Sequence, residues 1–121
     1  MEELEEAAKE VHETLGNGYT ENIYHRSLER ELSERGVAFS SEGSIPILYK
    51  GSPVGRRRPD LFVEGDDGTI VVELKAGTNS GDQQLLQYLD LLGEDDNFDI
   101  SDGYLIQFNA ECQIESKAVE E

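Results

Sequence analysis

Residues 69–75 of the 121-residue chain read TIVVELK, and they decide how the rest of the sequence is interpreted. An apolar, β-branched run of this length is typical of a strand. Because side chains alternate between the two faces of a strand, Glu73 and Lys75 are predicted to lie on the same face. A lone Glu-x-Lys pair is ordinarily an ion pair at a strand end, so its meaning depends on its neighbours.

The preceding strand brings a second carboxylate to this pair. Residues 64–68, EGDDG, predict a hairpin loop, and pairing across that loop places Asp60 directly opposite Glu73. Two carboxylates in that position repel each other unless a cation lies between them. Together with the main-chain carbonyl of Leu74, they outline a site for Mg²⁺. Lys75 then stands beside the metal, where it stabilises charge or orients water.

Around this hairpin, the sequence predicts a mixed α/β sandwich in a single domain, residues 1–121. Apolar residues at helical spacing predict an acidic N-terminal helix over 2–15 and a second helix from about 19 to 35. Ile23 and Tyr24 are expected on the apolar side of the second helix. The remaining predicted elements are a strand over 45–49, one continuous strand from 54 to 63, the strand at 69–75, a helix over 83–92, a strand over 103–108 and a short end piece near 112–119.

Composition excludes several classes of protein. No apolar run approaches the roughly 20 residues that span a bilayer, and the acidic start MEELEEAAKE is unlike a secretory signal, so we expect a cytoplasmic protein without a membrane segment. The single cysteine, Cys112, excludes an intrachain disulfide and a thiolate zinc site. An excess of acids with only four lysines is typical of halophilic proteins, and we keep a high-salt origin as a hypothesis.

Charge is unevenly distributed along the chain. The 27 acidic and 10 basic residues give a net charge of −17, which by itself disfavours a nucleic-acid partner. Residues 45–58 are the exception, with four bases and no acid. On a continuous strand, Arg56 and Arg58 share the face of Asp60 and Arg57 is out of phase with it. The predicted contacts to nucleic acid are therefore Lys50, Arg56 and Arg58.

The order of these motifs resembles a known group of enzymes. Pro59-Asp60 followed by Glu73-Leu74-Lys75 resembles the signature of the PD-(D/E)XK nuclease superfamily. Residues 18–24, GYTENIY, fit the G-x-x-E-x-x-Y pattern that names the GxxExxY family within it. Similar segments follow in family order at 28–32, 45–51, 84–89 and 105–109, so the resemblance covers about residues 15–110. It implies a restriction-endonuclease-like α/β fold, a mixed sheet core flanked by helices.

The resemblance also implies roles for individual residues. Asp60 and Glu73 would hold Mg²⁺ or Mn²⁺, and Glu21 would be a further metal ligand, directly or through water. Lys75 would position the attacking water and offset charge in the transition state. A divalent metal suits phosphodiester hydrolysis because it activates water and stabilises the anionic transition state.

The third predicted helix contributes two more residues. Gln84 and Tyr88, one helical turn apart on one face, would border the site as catalytic residues, and Gln84 would contact Lys75 or the nucleophile, as the resemblance implies. Tyr24 and Tyr88 also fit the simpler role of core aromatics. His12 and His25 have no partner pattern in the sequence and are expected to be solvated.

Several functions are compatible with these motifs. The first is a Mg²⁺-dependent nuclease acting on DNA without strong sequence specificity, because 121 residues leave no room for a separate recognition domain. A structure-selective enzyme resembling Holliday-junction resolvases is the closest enzymatic alternative, although those proteins are basic dimers. The second class is a non-catalytic nuclease-fold module for binding or assembly, and a third is an acidic mimic of nucleic acid. A homodimer or a protein partner that supplies substrate recognition stays open.

Overall fold

The computed structural model of the protein describes residues 1–77 and 100–118. Two helices precede seven strands in the described chain. Residues Gln84 and Tyr88, and the helix predicted over 83–92, lie outside the described ranges. The elements are α1 (Glu2–Leu15), α2 (Glu21–Glu34), β1 (Phe39–Ser40), β2 (Ile45–Tyr49), β3 (Ser52–Arg57), β4 (Leu61–Glu64), β5 (Thr69–Ala76), β6 (Ile100–Phe108) and β7 (Cys112–Ala118).

Five of the strands form one mixed sheet. Its order is β1-β4-β5-β6-β7, with β5 and β6 parallel and the other neighbours antiparallel. The central pair is parallel because the chain leaves the end of β5 and returns to the start of β6, which requires a long crossover. Strands β2 and β3 form a separate two-stranded sheet. The mixed α/β architecture confirms the predicted fold class.

The two helices cover one face of the sheet. The spacing of apolar residues predicted α1 over 2–15, and the helix has those bounds. Ile23 is an exception to the predicted apolar side of α2, because 39% of it is exposed. Neither described helix has the length and apolar character needed to cross a membrane. The core consists of Leu4, Ala7, Ala8 and Val11 of α1, Tyr24, Leu28 and Leu32 of α2, and Leu61, Val63, Ile70, Val72, Leu74, Tyr104, Ile106 and Phe108 of the sheet.

The continuous strand predicted from 54 to 63 is wrong. The chain forms β3 up to Arg57 and begins β4 only at Leu61, in a different sheet. Pro59 lies in the break, where it supplies no N–H for a strand ladder and restricts the residue before it. The two-residue strand β1, which pairs Phe39 with Val63, was not predicted from the sequence. The end piece near 112–119 is a full edge strand, β7.

Candidate functional site

The hairpin of β4 and β5 has the predicted register. Leu61 pairs with Val72, so one further step along the ladder places Asp60 opposite Glu73. The loop closes with a hydrogen bond from the N–H of Gly65 to the carbonyl of Gly68. This register follows from the short Gly-rich loop, because loop length determines which residues face each other across a hairpin.

Asp60 is held against the end of β5 by a main-chain hydrogen bond. Its Oδ2 accepts from the N–H of Leu74 at 2.7 Å. Asp60 is half-buried and lies one residue before β4. The bond orients the carboxylate toward the Glu73–Lys75 segment and uses one of its two oxygens. The second oxygen of this carboxylate would be the one that binds a metal ion.

Glu73 is the buried charge of the site. It is 7% exposed, and it is the only charged side chain among the buried residues of the described chain. Its neighbours Val72 and Leu74 belong to the core beneath α1 and α2, so alternation places Glu73 and Lys75 on the opposite face of β5. Burial of an ionised carboxylate costs free energy unless a positive charge lies beside it, so the burial of Glu73 points to a cationic partner at this position.

Lys75 has a neighbour that the sequence interpretation did not include. In the parallel register of β5 and β6, Lys75 pairs with Gln107, and both residues are half-buried. Paired residues on neighbouring strands extend from the same face of the sheet. The alternation of side chains in residues 103–108 indicates Gln107 as a site residue only if β6 is known to lie beside β5.

Glu21 reaches the same site from the start of α2. Burial raises the pKa of the Glu21 carboxyl, and the nearby negative charge of Asp60 raises this pKa further. The charges of Lys75 and His25 act in the opposite direction. The Glu21 carboxyl therefore lies within electrostatic range of Asp60 and Lys75, two other residues predicted for the site. Glu21 is the first residue of its helix, where a carboxylate also interacts favourably with the helix dipole.

Tyr24 anchors the start of α2, the helix that begins with Glu21. The Tyr24 ring stacks on Phe108 at the end of β6, with the ring centroids 4.4 Å apart and the planes 2° apart. Its hydroxyl donates to the carbonyl of Gly16 at 2.6 Å, which ties the turn between the helices to α2. Gly18 within this turn has φ of 105°, a conformation that favours glycine. Tyr24 is fully buried, as a core aromatic is expected to be.

Arg57 is the main departure from the predicted site. Its Nη2 lies 3.8 Å from Oε2 of Glu73, and about a quarter of the Arg57 side chain is exposed. On one continuous strand, Arg57 is predicted to be out of phase with Asp60. This prediction is wrong because β3 ends at Arg57, so no single strand links the arginines to Asp60. The run of three arginines indicated Arg57 as a candidate in the sequence. The face toward which its side chain extends, however, depended on the break at Pro59.

The three basic residues predicted to bind nucleic acid lie on or next to the separate hairpin. Arg56 donates from Nε to Oγ of Ser44 at 2.9 Å, and Nζ of Lys50 lies 5.5 Å from the centre of the Tyr49 ring. Lys50, Arg56 and Arg58 are all exposed. They lie on the hairpin that carries Arg57 to Glu73, and this connects the basic surface with the acidic cluster.

Both histidines are less solvated than the sequence suggested. His12 Nε2 lies 2.6 Å from the main-chain oxygen of Asn109, and its ring stacks on Phe108. His25 Nε2 is buried and lies 3.7 Å from Oε1 of Glu29. The predictions of solvated side chains were wrong because both histidines lie on the partly buried sides of their helices. His25, one turn after Glu21, is close enough to affect the Glu21 carboxyl.

The donor set fits a divalent cation held by few protein ligands. Within residues 1–77 and 100–118, no three Asp, Glu, His or Cys side chains are close enough to hold a metal together. Asp60 precedes the Leu61–Val72 pair, the last of the hairpin ladder, so extension of the register by one residue brings it to the level of Glu73. Two carboxylates with main-chain oxygen and water are a common set for Mg²⁺. The Arg57 guanidinium near Glu73 shows that the local charge favours a cation.

Comparison with known proteins identifies the superfamily of the chain. The family model of the PD-(D/E)XK nuclease superfamily matches residues 1–119. The crystal structure of SSO0001 is similar with a TM-score of 0.53 and 18% identity, over 83% of this chain. The chain spans about half of SSO0001, 51% of its length, and no curated protein matches. The mixed sheet with its helices is thus a restriction-endonuclease-like fold, and this chain belongs to the PD-(D/E)XK nuclease superfamily.

Proposed function

We propose that the protein is a nuclease that uses Mg²⁺ or Mn²⁺ to hydrolyse phosphodiester bonds in DNA without strong sequence specificity. The observation that carries the proposal is the pair of carboxylates across the β4–β5 hairpin. Asp60 is fixed by Leu74, Glu73 is buried opposite it, and Lys75 follows on the face of Glu73. A buried acid beside a second acid and a lysine is a costly arrangement, which functional sites commonly contain.

The metal would be held by Asp60, Glu73 and the main-chain carbonyl of Leu74. Of the two roles expected for Glu21, binding through water fits the structure better, because the described residues bring no three such side chains together at one ion. When bound, such an ion makes water more acidic and stabilises negative charge on the phosphate. Lys75 would hold the attacking water and offset charge on the phosphate oxygens.

Residues outside the metal set would complete the site. Gln84 and Tyr88 are proposed to border it, as the sequence resemblance implies. Tyr24 is a positioning residue, because its ring and hydroxyl hold the start of α2 and thus Glu21. Membership of the GxxExxY family is part of this proposal. Its support is that Gly18 and Tyr24 belong to the turn before α2, whose first residue is Glu21.

The test is cleavage of linear, nicked, branched and single-stranded DNA with Mg²⁺ or Mn²⁺, from low to molar salt. Asp60→Ala and Lys75→Ala should abolish cleavage, whereas Asp67→Ala and Lys9→Ala remove the same charges at exposed positions and should retain it. Calorimetry should detect metal binding that Asp60→Ala weakens. Cleavage that survives in folded Asp60→Ala protein would exclude this site as the catalytic centre.

One observation favours a second candidate, a non-catalytic binding or assembly module of the nuclease fold. Arg57 lies beside Glu73, so a protein cation can provide the charge that a metal provides in an active nuclease. The net charge of −17 also suits a protein that does not approach a polyanion over a wide surface. Folded wild-type protein that binds DNA but cleaves none of the substrates would favour this module. Preference for branched DNA with paired incisions would favour the resolvase-like alternative.

A further inference from the structure

The separate sheet of β2 and β3 forms a basic arm, defined here as residues 45–58. It has no acid, although the whole chain has a net charge of −17. Every residue of β3 is exposed except Arg57, which is half-buried where it contacts Glu73. At the same end, Ile45 is fully buried and pairs with Arg57. One end of the arm is therefore anchored at the candidate site, and the other end is open to solvent.

The open end of the arm carries exposed apolar side chains. Tyr49 is 64% exposed and Val54 is 65% exposed, more than the other exposed large hydrophobic residues of the described chain. Val54 has no partner in the β2–β3 register, because Ile47 pairs with Gly55 and Leu48 pairs with Pro53. Such a bulge adds twist and redirects side chains at the point where it occurs.

A positive charge accompanies the aromatic ring at this end. Lys50 is in the left-handed region with φ of 51°, and its Nζ lies 5.5 Å from the centre of the Tyr49 ring. An aromatic face beside a lysine suits a nucleic-acid base followed by its phosphate, since the ring stacks on the base and the ammonium contacts the anion. Tyr49 lies four positions after Ile45, which corresponds to about 13 Å along a strand.

We propose that the tip of the basic arm, formed by Tyr49, Lys50 and Val54, binds unpaired bases of the nucleic-acid substrate. Tyr49 stacks on a base that is not in a helix, and Lys50 contacts the adjacent phosphate. Arg56 and Arg58 follow the backbone toward the candidate site. The catalytic consequence rests on the proposed function: in a nuclease, the arm directs cleavage to DNA that contains single-stranded segments.

Charge complementarity selects this occupant over a second copy of the chain. Two arms that meet through their open strand edges would bring eight basic side chains together, and like charges at an interface oppose association. Paired bases in a duplex leave no free face for Tyr49, whereas an unpaired base exposes one. Both the charge and the ring therefore fit a single-stranded segment.

The binding test uses metal-free protein in EDTA, so that no cleavage occurs. Fluorescence anisotropy measures affinity for labelled oligothymidine and for a blunt duplex. Tyr49→Ala and Tyr49→Leu should weaken oligothymidine binding about ten- to a hundredfold, the range for loss of one base stack, and Tyr49→Phe should preserve it. Lys50→Ala should weaken binding, whereas Lys9→Ala on α1 should not. Duplex binding should change little in the Tyr49 variants.

A second readout reports stacking directly. The chain contains no tryptophan, so Tyr49→Trp introduces a unique fluorophore at the tip. Its emission should be quenched by oligothymidine, whereas the emission of a Glu13→Trp variant, substituted at an exposed position of α1, should not change. Three results would each overturn the proposal: no binding by wild-type protein, full affinity in Tyr49→Ala, or equal losses for duplex and oligothymidine.

The proposal of nuclease activity and the proposal that the arm binds unpaired bases can be tested separately. Cleavage assays with Asp60→Ala test the catalytic site, and EDTA binding assays with the Tyr49 variants test the arm. Loss of cleavage in Asp60→Ala with unchanged binding in Tyr49→Ala would retain the nuclease and exclude the arm. Tyr49-dependent binding by a protein that never cleaves would retain the arm and exclude the nuclease.

Discussion

Arg57 and Glu73 form an ion pair between two different sheets, with Nη2 3.8 Å from Oε2. Arg57 ends β3 of the basic arm, and Glu73 lies within β5 of the central sheet. The pair thus joins the most basic part of the chain to its buried acid. Because a metal at Glu73 would compete with the guanidinium for the same carboxylate, the pair links metal affinity to stability.

Arg57→Ala should destabilise the metal-free protein and increase its metal affinity. Loss of the partner leaves Glu73 buried with less compensation, and we expect a decrease of about 1–2 kcal/mol in the free energy of unfolding, below the value for fully buried pairs. Removing a competing interaction of about 1 kcal/mol should raise the affinity for Mn²⁺ about fivefold. Denaturant unfolding and calorimetry measure the two effects.

Arg58→Ala is the matched control for Arg57→Ala, since it removes a neighbouring exposed arginine. It should change neither the unfolding free energy nor the metal affinity. Saturating metal should return much of the stability lost in Arg57→Ala, because a ligand at 100 times its Kd contributes about 2.7 kcal/mol. Equal metal affinities in wild-type and Arg57→Ala protein would contradict the competition.

Glu21→Gln should stabilise the metal-free protein at neutral pH. The pKa of Glu21 is raised in the folded state, by burial first and then by Asp60, so the folded protein holds this proton more tightly than the unfolded chain. Stability therefore falls as pH rises from the unfolded value, 4.5, through the raised folded pKa. Because Glu21 keeps much of its contact with solvent, the gain in Glu21→Gln should be a few tenths of a kcal/mol.

The pH dependence distinguishes this effect from a general charge effect. Unfolding free energies of wild-type and Glu21→Gln protein should converge below pH 4.5 and separate above the raised pKa. Glu13→Gln, an exposed position on α1, removes the same charge away from Asp60 and should show a smaller separation. Cleavage by Glu21→Gln should fall at all pH values if Glu21 assists the metal, so stability and activity should change in opposite directions.

Tyr24→Phe tests the anchor of α2. The substitution retains the ring on Phe108 but removes the bond from the hydroxyl to the carbonyl of Gly16. We expect a loss of about 1 kcal/mol in the free energy of unfolding from this one hydrogen bond, and about 3–5 kcal/mol for Tyr24→Ala. Cleavage should also fall in Tyr24→Phe, because the start of α2 positions Glu21. Tyr19→Phe at a nearly half-exposed ring is the control, and equal activity in the two variants would argue against positioning by Tyr24.

Gly43→Ala tests how closely the chain before the basic arm packs on the sheet. A Cβ at Gly43 would clash with the Phe62 ring. The resulting shift should lower the free energy of unfolding by about 1–3 kcal/mol, as for other overpacked sites. Gly55→Ala in β3 is the control, because a Cβ there meets nothing within 4 Å. Thermal and denaturant unfolding measure both variants, and equal losses would contradict packing at Phe62.

Local patterns were sufficient to predict several parts of the fold. The bounds of α1 followed from the helical spacing of its apolar residues, and the Asp60–Glu73 register followed from the loop at 64–68. Both depend on interactions between residues near each other in sequence. The break between Arg57 and Leu61 was missed, because an apolar and basic run can continue a strand or change sheets, and Pro59 alone did not decide between these outcomes.

The sequence by itself determined which residue types form the candidate site, and it determined the pairing of Asp60 with Glu73 through a short hairpin. Only the tertiary structure decided that Arg57 contacts Glu73, that Glu21 lies near Asp60 and Lys75, and that the basic arm leaves the central sheet. These relationships join elements far apart in the chain. Their geometry depends on how helices and sheets pack, which alternation and helical periodicity do not encode.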